Sequence, residues 1–259
     1  MEILKIGTRE FHSRLMLGTG KYRSLEEMRD SLEASGTQIV TVALRRLDLT
    51  QPAQPGILDY IDPERYTILP NTAGCKTVQE AVQVAHLAAA LGLPRWIKLE
   101  VIPDPTYLLP DPLATLEATR ILAEEGFEVL PYINADPVLA QYLQDAGAVT
   151  VMPLGSPIGS GQGLLNLAQI QIIIEQARVP VVVDAGIGSA SDAALAMEIG
   201  ASACLINTAV AKAQNSVQMA TAMKLGIEAG RAAYLAGRIP RQSSASASSP
   251  VTGIPVLRG

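Results

Sequence analysis

Cysteine and histidine are scarce in this chain of 259 residues, with two of each: Cys75 and Cys204, His12 and His86. The cysteines lie far apart and form neither a CxxC nor a Cys/His metal spacing, so nothing indicates structural zinc, and a reduced intracellular setting fits better than a disulfide framework. Neither histidine sits in a recognisable motif, and His86 falls inside a helical pattern, so both read as structural. Long hydrophobic runs are also missing. No stretch reaches about 18 uninterrupted apolar residues. The opening MEILKIGTREFHSR mixes charges into its first residues and has no leader-type apolar core. The expectation is a cytoplasmic protein with no membrane partner. There is no long Lys/Arg run, and the net charge is −5, which argues against nucleic acid. An anionic ligand must therefore be held by local features.

Hydrophobic residues make up 48% of the chain and charged residues 17%, ample for a sizeable core, and the length fits a single barrel of about 250 residues. Eight short apolar runs recur: RLMLGTG (14–20), QIVTVAL (38–44), YTILPNTAG (66–74), WIKLEVI (96–102), EVLPYI (128–133), VTVMPLG (149–155), VPVVVDAG (179–186) and ACLINTAV (203–210). Helical segments such as 77–92, 111–126, 136–147 and 189–200 separate them. Each opens on a capping or proline-type start and closes on glycine. This α/β alternation predicts a parallel eight-stranded (β/α)8 TIM barrel as one catalytic domain over 1–240, with an open doubly wound sheet as the alternative. Residues 241–259, rich in Ser, Ala and Pro, cannot build a core and read as a tail, either a frayed terminus or a flap over the barrel mouth.

Lys98 stands in the middle of WIKLEVI, where a buried parallel strand leaves an ammonium no cheap place. With period-two side chains, Lys98 and Glu100 share a face, their Cα atoms about 6.6 Å apart. Lys98 is then a candidate amine nucleophile, or else a strand-end lysine that reaches water or pairs with Glu100. Asp184 closes the buried run VVVD and needs a partner, as acid/base beside Lys98 and Glu100 or as a helix N-cap. Barrel sites lie at the C-terminal strand ends, and there stand PLGSPIGSGQG (153–163), DAGIGS (184–189) and INTAV (206–210). Glycine backbones and helix N-termini in these loops suggest a phosphate cup contacted by Gly159, Ala185, Gly186, Asn207 and Thr208. A neutral lysine attacks a carbonyl and loses water to give an imine. Lowering its pKa from about 10.4 to about 7.4 requires roughly 4 kcal/mol. Burial is expected to do this, with the carboxylates partly protonated or aimed at substrate atoms and not at the ammonium. Cys75 either lines the mouth or is a small buried thiol, Cys204 reads as core, and Arg45 and Arg46 read as rim or surface.

Seven segments, LGTGKY (17–22), TVALRR (41–46), LPNTAGC (69–75), WIKLEVI (96–102), PLGSPIGSGQG (153–163), VVVDAGIG (181–188) and INTAVA (206–211), together resemble bacterial thiazole synthase of thiamin biosynthesis. The resemblance spans nearly the whole chain. It implies a barrel enzyme that joins 1-deoxy-D-xylulose 5-phosphate, dehydroglycine and the sulfur of a thiocarboxylated, ubiquitin-like sulfur carrier protein into a thiazole phosphate carboxylate. It further implies that Lys98 forms the imine (Schiff base) with the ketose, that Glu100 and Asp184 act as acid/base groups, and that the five cup residues bind the sugar phosphate. No metal or redox cofactor is implied. The implied partners are the sulfur carrier, in some cases a dehydroglycine-producing enzyme, and further copies of the chain in a homo-oligomer, often a tetramer. A lysine-dependent aldolase on another phosphosugar and a non-catalytic phosphosugar-binding barrel remain the alternatives.

Overall fold

The computed structural model describes residues 2–44, 56–249 and 253. Its sheet holds eight parallel strands: β3 (Leu15–Gly18), β4 (Ile39–Ala43), β5 (Thr67–Asn71), β6 (Trp96–Leu99), β7 (Glu128–Ile133), β8 (Met152–Pro153), β9 (Val182–Asp184) and β10 (Ala203–Ile206). They follow the order β8-β7-β6-β5-β4-β3-β10-β9. The two ends meet. Parallel bridges join Val151 to Val181 and Leu154 to Asp184, and the Val182 N–H donates to the Val151 carbonyl at 3.0 Å. The sheet is thus a (β/α)8 barrel, and the open alternative is excluded.

Each of the eight apolar runs contains one of these strands. Eight α-helices surround them among the described residues: α1 (Leu25–Ser35), α2 (Val78–Ala90), α3 (Pro112–Glu124), α4 (Pro137–Asp145), α5 (Leu167–Gln176), α6 (Ala190–Glu198), α7 (Thr208–Ala211) and α8 (Ser216–Ala236). Thr77, Asp111 and Asp136 cap their helices through side-chain oxygens that accept backbone N–H groups, and Pro112 and Pro137 occupy first-turn positions that need no donor. Gly92, Gly126, Gly147 and Gly200 follow α2, α3, α4 and α6 with φ of 81°, 81°, 96° and 102°, the left-handed turn that stops a helix. Between β4 and β5 the described residues hold only a 3-10 turn, Ile57–Tyr60. The long α8 packs against both α1 and α6. Past it, Arg241–Ser249 is exposed and has no helix or strand.

One feature is absent from the sequence expectations. Residues Leu4–Ile6 (β1) and Arg9–Phe11 (β2) form an antiparallel hairpin with Leu4 opposite Phe11. Its buried side chains Leu4, Ile6 and Phe11 join Met16, Ile39, Leu69, Trp96, Leu130, Met152, Val182, Ala203 and Leu205, one residue from each barrel strand and two from β10. Phe11 stacks on Trp96 with ring centroids 6.0 Å apart, and Arg9 covers the indole at 4.6 Å. The hairpin therefore plugs the N-terminal end of the barrel. Side chains repeat with period two, so the layer above this plug is also fixed: it contains Thr41, Asn71, Lys98, Tyr132 and Asp184. The polar layer rests on a buried apolar floor.

Candidate active site

Lys98 and Glu100 share the inner face of β6 and its extension, and Asp184 approaches from β9. The Lys98 Nζ lies 2.8 Å from Glu100 Oε1 and 2.7 Å from Asp184 Oδ2. All three are buried, with 5%, 5% and 3% exposure. Glu100 is held by Thr72, whose hydroxyl accepts from the Glu100 N–H at 2.7 Å and donates to the Glu100 carbonyl at 2.8 Å. Asn71 pairs in register with Lys98, and its amide donates to the Thr41 hydroxyl at 2.8 Å. The Tyr132 ring lies under the ammonium, 5.4 Å from Nζ to centroid.

Burial pushes the Lys98 ammonium towards deprotonation, but Asp184 and then Glu100 outweigh it, and the net displacement is upward. Burial likewise raises Asp184, and the attraction of Lys98 only partly offsets this. The Tyr132 phenol is raised by burial, with Asp184 and Glu100 adding to the effect. The upward direction for Lys98 corrects the expected lowering by burial, and the contacts set aside carboxylates aimed away from the ammonium, while the raised Asp184 runs in the direction of the other expected possibility, partial protonation. Strand periodicity places groups along one strand, whereas barrel closure brings Asp184 to Lys98 from β9, which is not a sheet neighbour of β6. One cation between two buried carboxylates also leaves a surplus negative charge, and the Glu100 charge adds a lesser upward push on Asp184 to that of burial. The arrangement can pass a proton between amine and carboxylate across less than 3 Å, the separation acid/base catalysis requires.

The polar layer forms the base of a cavity of about 970 Å³, lined by all eight residues singled out from the sequence: Lys98, Glu100, Asp184, Gly159, Ala185, Gly186, Asn207 and Thr208. Gly159 has φ 74°, and a Cβ built there would lie 3.4 Å from Lys21 Nζ and 3.5 Å from Thr208 Oγ1. Ala185 and Gly186 are both left-handed, at 65° and 76°, and a Cβ on Gly186 would collide with the backbone N of Ser156 at 2.5 Å. That turn carries the chain from Asp184 around the cavity wall. The Asn207 amide nitrogen is placed to donate to the carbonyls of Gly20 at 2.9 Å and Gly18 at 3.3 Å. Asn207 thereby ties the loop after β3 to the loop after β10. One part of the expected cup carries a carboxylate: Asp192 accepts from the Gly188 and Ser189 N–H groups at 2.9 and 3.1 Å, which places a negative charge at the start of α6 beside the cavity.

The sequence reading did not single out Lys21, Thr41, Asn71, Thr72 or Tyr132. Thr72 and Asn71 had a usable signal, since both stand at the C-terminal end of β5, where barrel sites gather. His86 pairs with Glu125 at 2.5 Å on the exposed side of α2 and α3, and the His12 backbone is held by Gln38. Both agree with structural roles. Cys75 and Cys204 are fully buried. Arg45 and Arg46 lie outside the described residues. Among the described residues, no group of three or more His, Cys, Asp or Glu side chains is placed to hold a metal ion, and no helix is long and apolar enough to cross a membrane.

Residues 5–250 match the family model described as thiazole biosynthesis protein ThiG. The thiazole synthase of Acaryochloris marina is 61% identical over 258 residues, covering 97% of this chain and 94% of that protein. The bifunctional protein ThiO/ThiG of a Nostoc species is 60% identical over 96% of this chain, which spans 39% of that longer protein. Among solved structures, the Amycolatopsis orientalis BexX/CysO complex superposes with a TM-score of 0.82 at 36% identity, covering 93% of this chain and 98% of that one.

Proposed function

The chain belongs to the thiazole biosynthesis protein ThiG family and is a thiazole synthase, a sulfur-transferring enzyme, and from that premise we propose that Lys98 forms an imine with 1-deoxy-D-xylulose 5-phosphate. The aldolase and non-catalytic readings give way to this one. The observation that carries the proposal is a single buried ammonium held between two buried carboxylates at the base of a glycine-walled cavity.

Asp184 or Glu100 takes a proton from the Lys98 ammonium, and the freed amine attacks the keto carbon. Protonation of the resulting hydroxyl releases water and leaves the imine. The imine acidifies the neighbouring C–H, and the same carboxylates move that proton so that the carbonyl migrates along the sugar. The thiocarboxylate sulfur of a sulfur carrier then adds to the migrated carbonyl, whose oxygen leaves on the carrier as its C-terminal carboxylate; water is lost, and addition of dehydroglycine closes the ring to the thiazole phosphate carboxylate with release of the Lys98 amine. Gly159, Ala185, Gly186, Asn207 and Thr208 hold the sugar phosphate. Relatives support the partners: BexX is solved in a complex with a second protein, CysO, and ThiO/ThiG joins this unit to another activity in one chain. The proposal extends to a catalytic barrel over 1–240, a separate tail over 241–259, a cytoplasmic setting and a homo-oligomer of up to four copies.

Reconstitution tests the substrates. The chain is incubated with the ketose phosphate, dehydroglycine and a thiocarboxylated carrier, and the thiazole product is followed by mass. Product that disappears on omitting any one component supports the assignment. Product formed without the ketose phosphate overturns it.

A further inference from the structure

Lys21 has the backbone of a residue held in place for a purpose. It lies between Gly20 and Tyr22 with φ 72°, a left-handed conformation that side-chain-bearing residues adopt only at a cost. Its loop is tied to the loop after the neighbouring strand β10, because the Asn207 amide, with its nitrogen turned towards them, reaches the Gly18 and Gly20 carbonyls. This directs the ammonium over the cup, close to the positions a Cβ on Gly159 would approach, with Thr208 Oγ1 beside it. Among the described residues Lys21 has no ion-pair partner, although the chain carries a net charge of −5. The other two lysines of the cavity differ from it. Lys98 is engaged by two carboxylates, and Lys76 stands after β5, three strands round the barrel from β10. The Asp192 carboxylate takes the Gly188 and Ser189 N–H groups just ahead of α6 and puts a negative charge there.

We infer that Lys21 is the residue that selects a phosphorylated ketose over its unphosphorylated counterpart, pairing its ammonium with the phosphate held by Gly159 and Thr208. The inference rests on the reading that this cavity takes a ketose phosphate. A point charge on a flexible stem suits a phosphate that also accepts hydrogen bonds from backbone N–H groups and a threonine hydroxyl.

Calorimetric titration of the full chain with 1-deoxy-D-xylulose 5-phosphate and with 1-deoxy-D-xylulose, for wild type, Lys21→Met and Lys21→Arg, tests it. Methionine keeps the stem and the backbone demand and removes only the charge. The expected result is an affinity for the phosphorylated ketose about 10- to 100-fold weaker in Lys21→Met, the size of a lost charge-assisted hydrogen bond. Affinity for the unphosphorylated ketose stays the same, and Lys21→Arg stays within a few-fold of wild type. Equal affinity of wild type and Lys21→Met for the phosphorylated ketose, or an equal loss for both ketoses, overturns the inference. The measurement does not require an imine, so a borohydride adduct on Lys98 reports separately on the proposed chemistry. A chain that binds the ketose phosphate through Lys21 but yields no adduct contradicts only the latter.

Discussion

Replacing Lys98 with methionine keeps the volume of the side chain and removes the cation from a site where Glu100 and Asp184 are 5% and 3% exposed. Removing one partner of a buried ion pair typically costs about 3–5 kcal/mol, because the remaining charge stays desolvated and unpaired. In a domain of this size that corresponds to a fall in Tm of roughly 6–20 °C. The loss depends on pH, and its sign follows from the carboxylates. Burial already holds Asp184 above the usual carboxylate range with Lys98 present. Without the ammonium the attraction that opposes burial is gone, and the two carboxylates also repel. A carboxylate raised in the folded state contributes stability that is fully present below its unfolded pKa of about 4 and is lost as pH rises through the raised folded value. Lys98 itself is raised, so its contribution in wild type is intact below about 10.4 and is lost only in more alkaline solution. The gap in Tm between wild type and Lys98→Met is therefore widest near pH 8 and narrows on acidification to pH 5. Asp184→Asn added to Lys98→Met removes one of the stranded charges and recovers part of the loss at pH 8. Thermal melts of the three proteins across this range provide the check. A gap that stays constant from pH 5 to pH 8, or a double variant less stable than Lys98→Met at pH 8, refutes the electrostatic account.

Two further outcomes follow from named contacts. Glu100→Gln removes one of the charges that hold the Lys98 ammonium, so the acid limb of the pH profile for imine formation moves to lower pH; the maximal turnover falls by about 10²- to 10⁴-fold as a proton acceptor is lost. A profile left in place would show that Glu100 does not act on the amine. Gly226→Ala in α8 would place a Cβ 2.5 Å from the Ala190 carbonyl oxygen, a backbone atom that cannot swing aside. Overpacking lowers stability by about 1–3 kcal/mol in a denaturant melt, whereas the same change at an exposed helical site would raise it by up to about 1 kcal/mol.

Much of the barrel was legible because its signals are local. The eight apolar runs are short and bounded by caps and glycines, and EVLPYI coincides with β7, Glu128–Ile133, residue for residue. The inner stripe of β6 could also be read, since a period of two puts Lys98 and Glu100 on one face. The N-terminal hairpin is not legible in the same way: Leu4-Lys5-Ile6 and Arg9-Glu10-Phe11 alternate around a two-residue turn at Gly7, but each run of three residues is shorter than the four to eight over which alternation marks a strand. The direct contact of Asp184 with the ammonium has a different origin. The pairing of Asp184 with Lys98 is a product of barrel closure, which no local pattern encodes. Lys21 lies in a glycine-flanked loop with no period, and only the folded chain brings its ammonium to Gly159 and Thr208.

The central claim is that Lys98 forms the covalent bond to the ketose. Incubation with 1-deoxy-D-xylulose 5-phosphate and borohydride, followed by peptide mass mapping of wild type and Lys98→Ala, tests it directly. The account predicts one reduced ketose adduct, on the peptide carrying Lys98 and absent from the variant. An adduct on another lysine, or none on a wild-type chain that demonstrably binds the ketose phosphate, would contradict it.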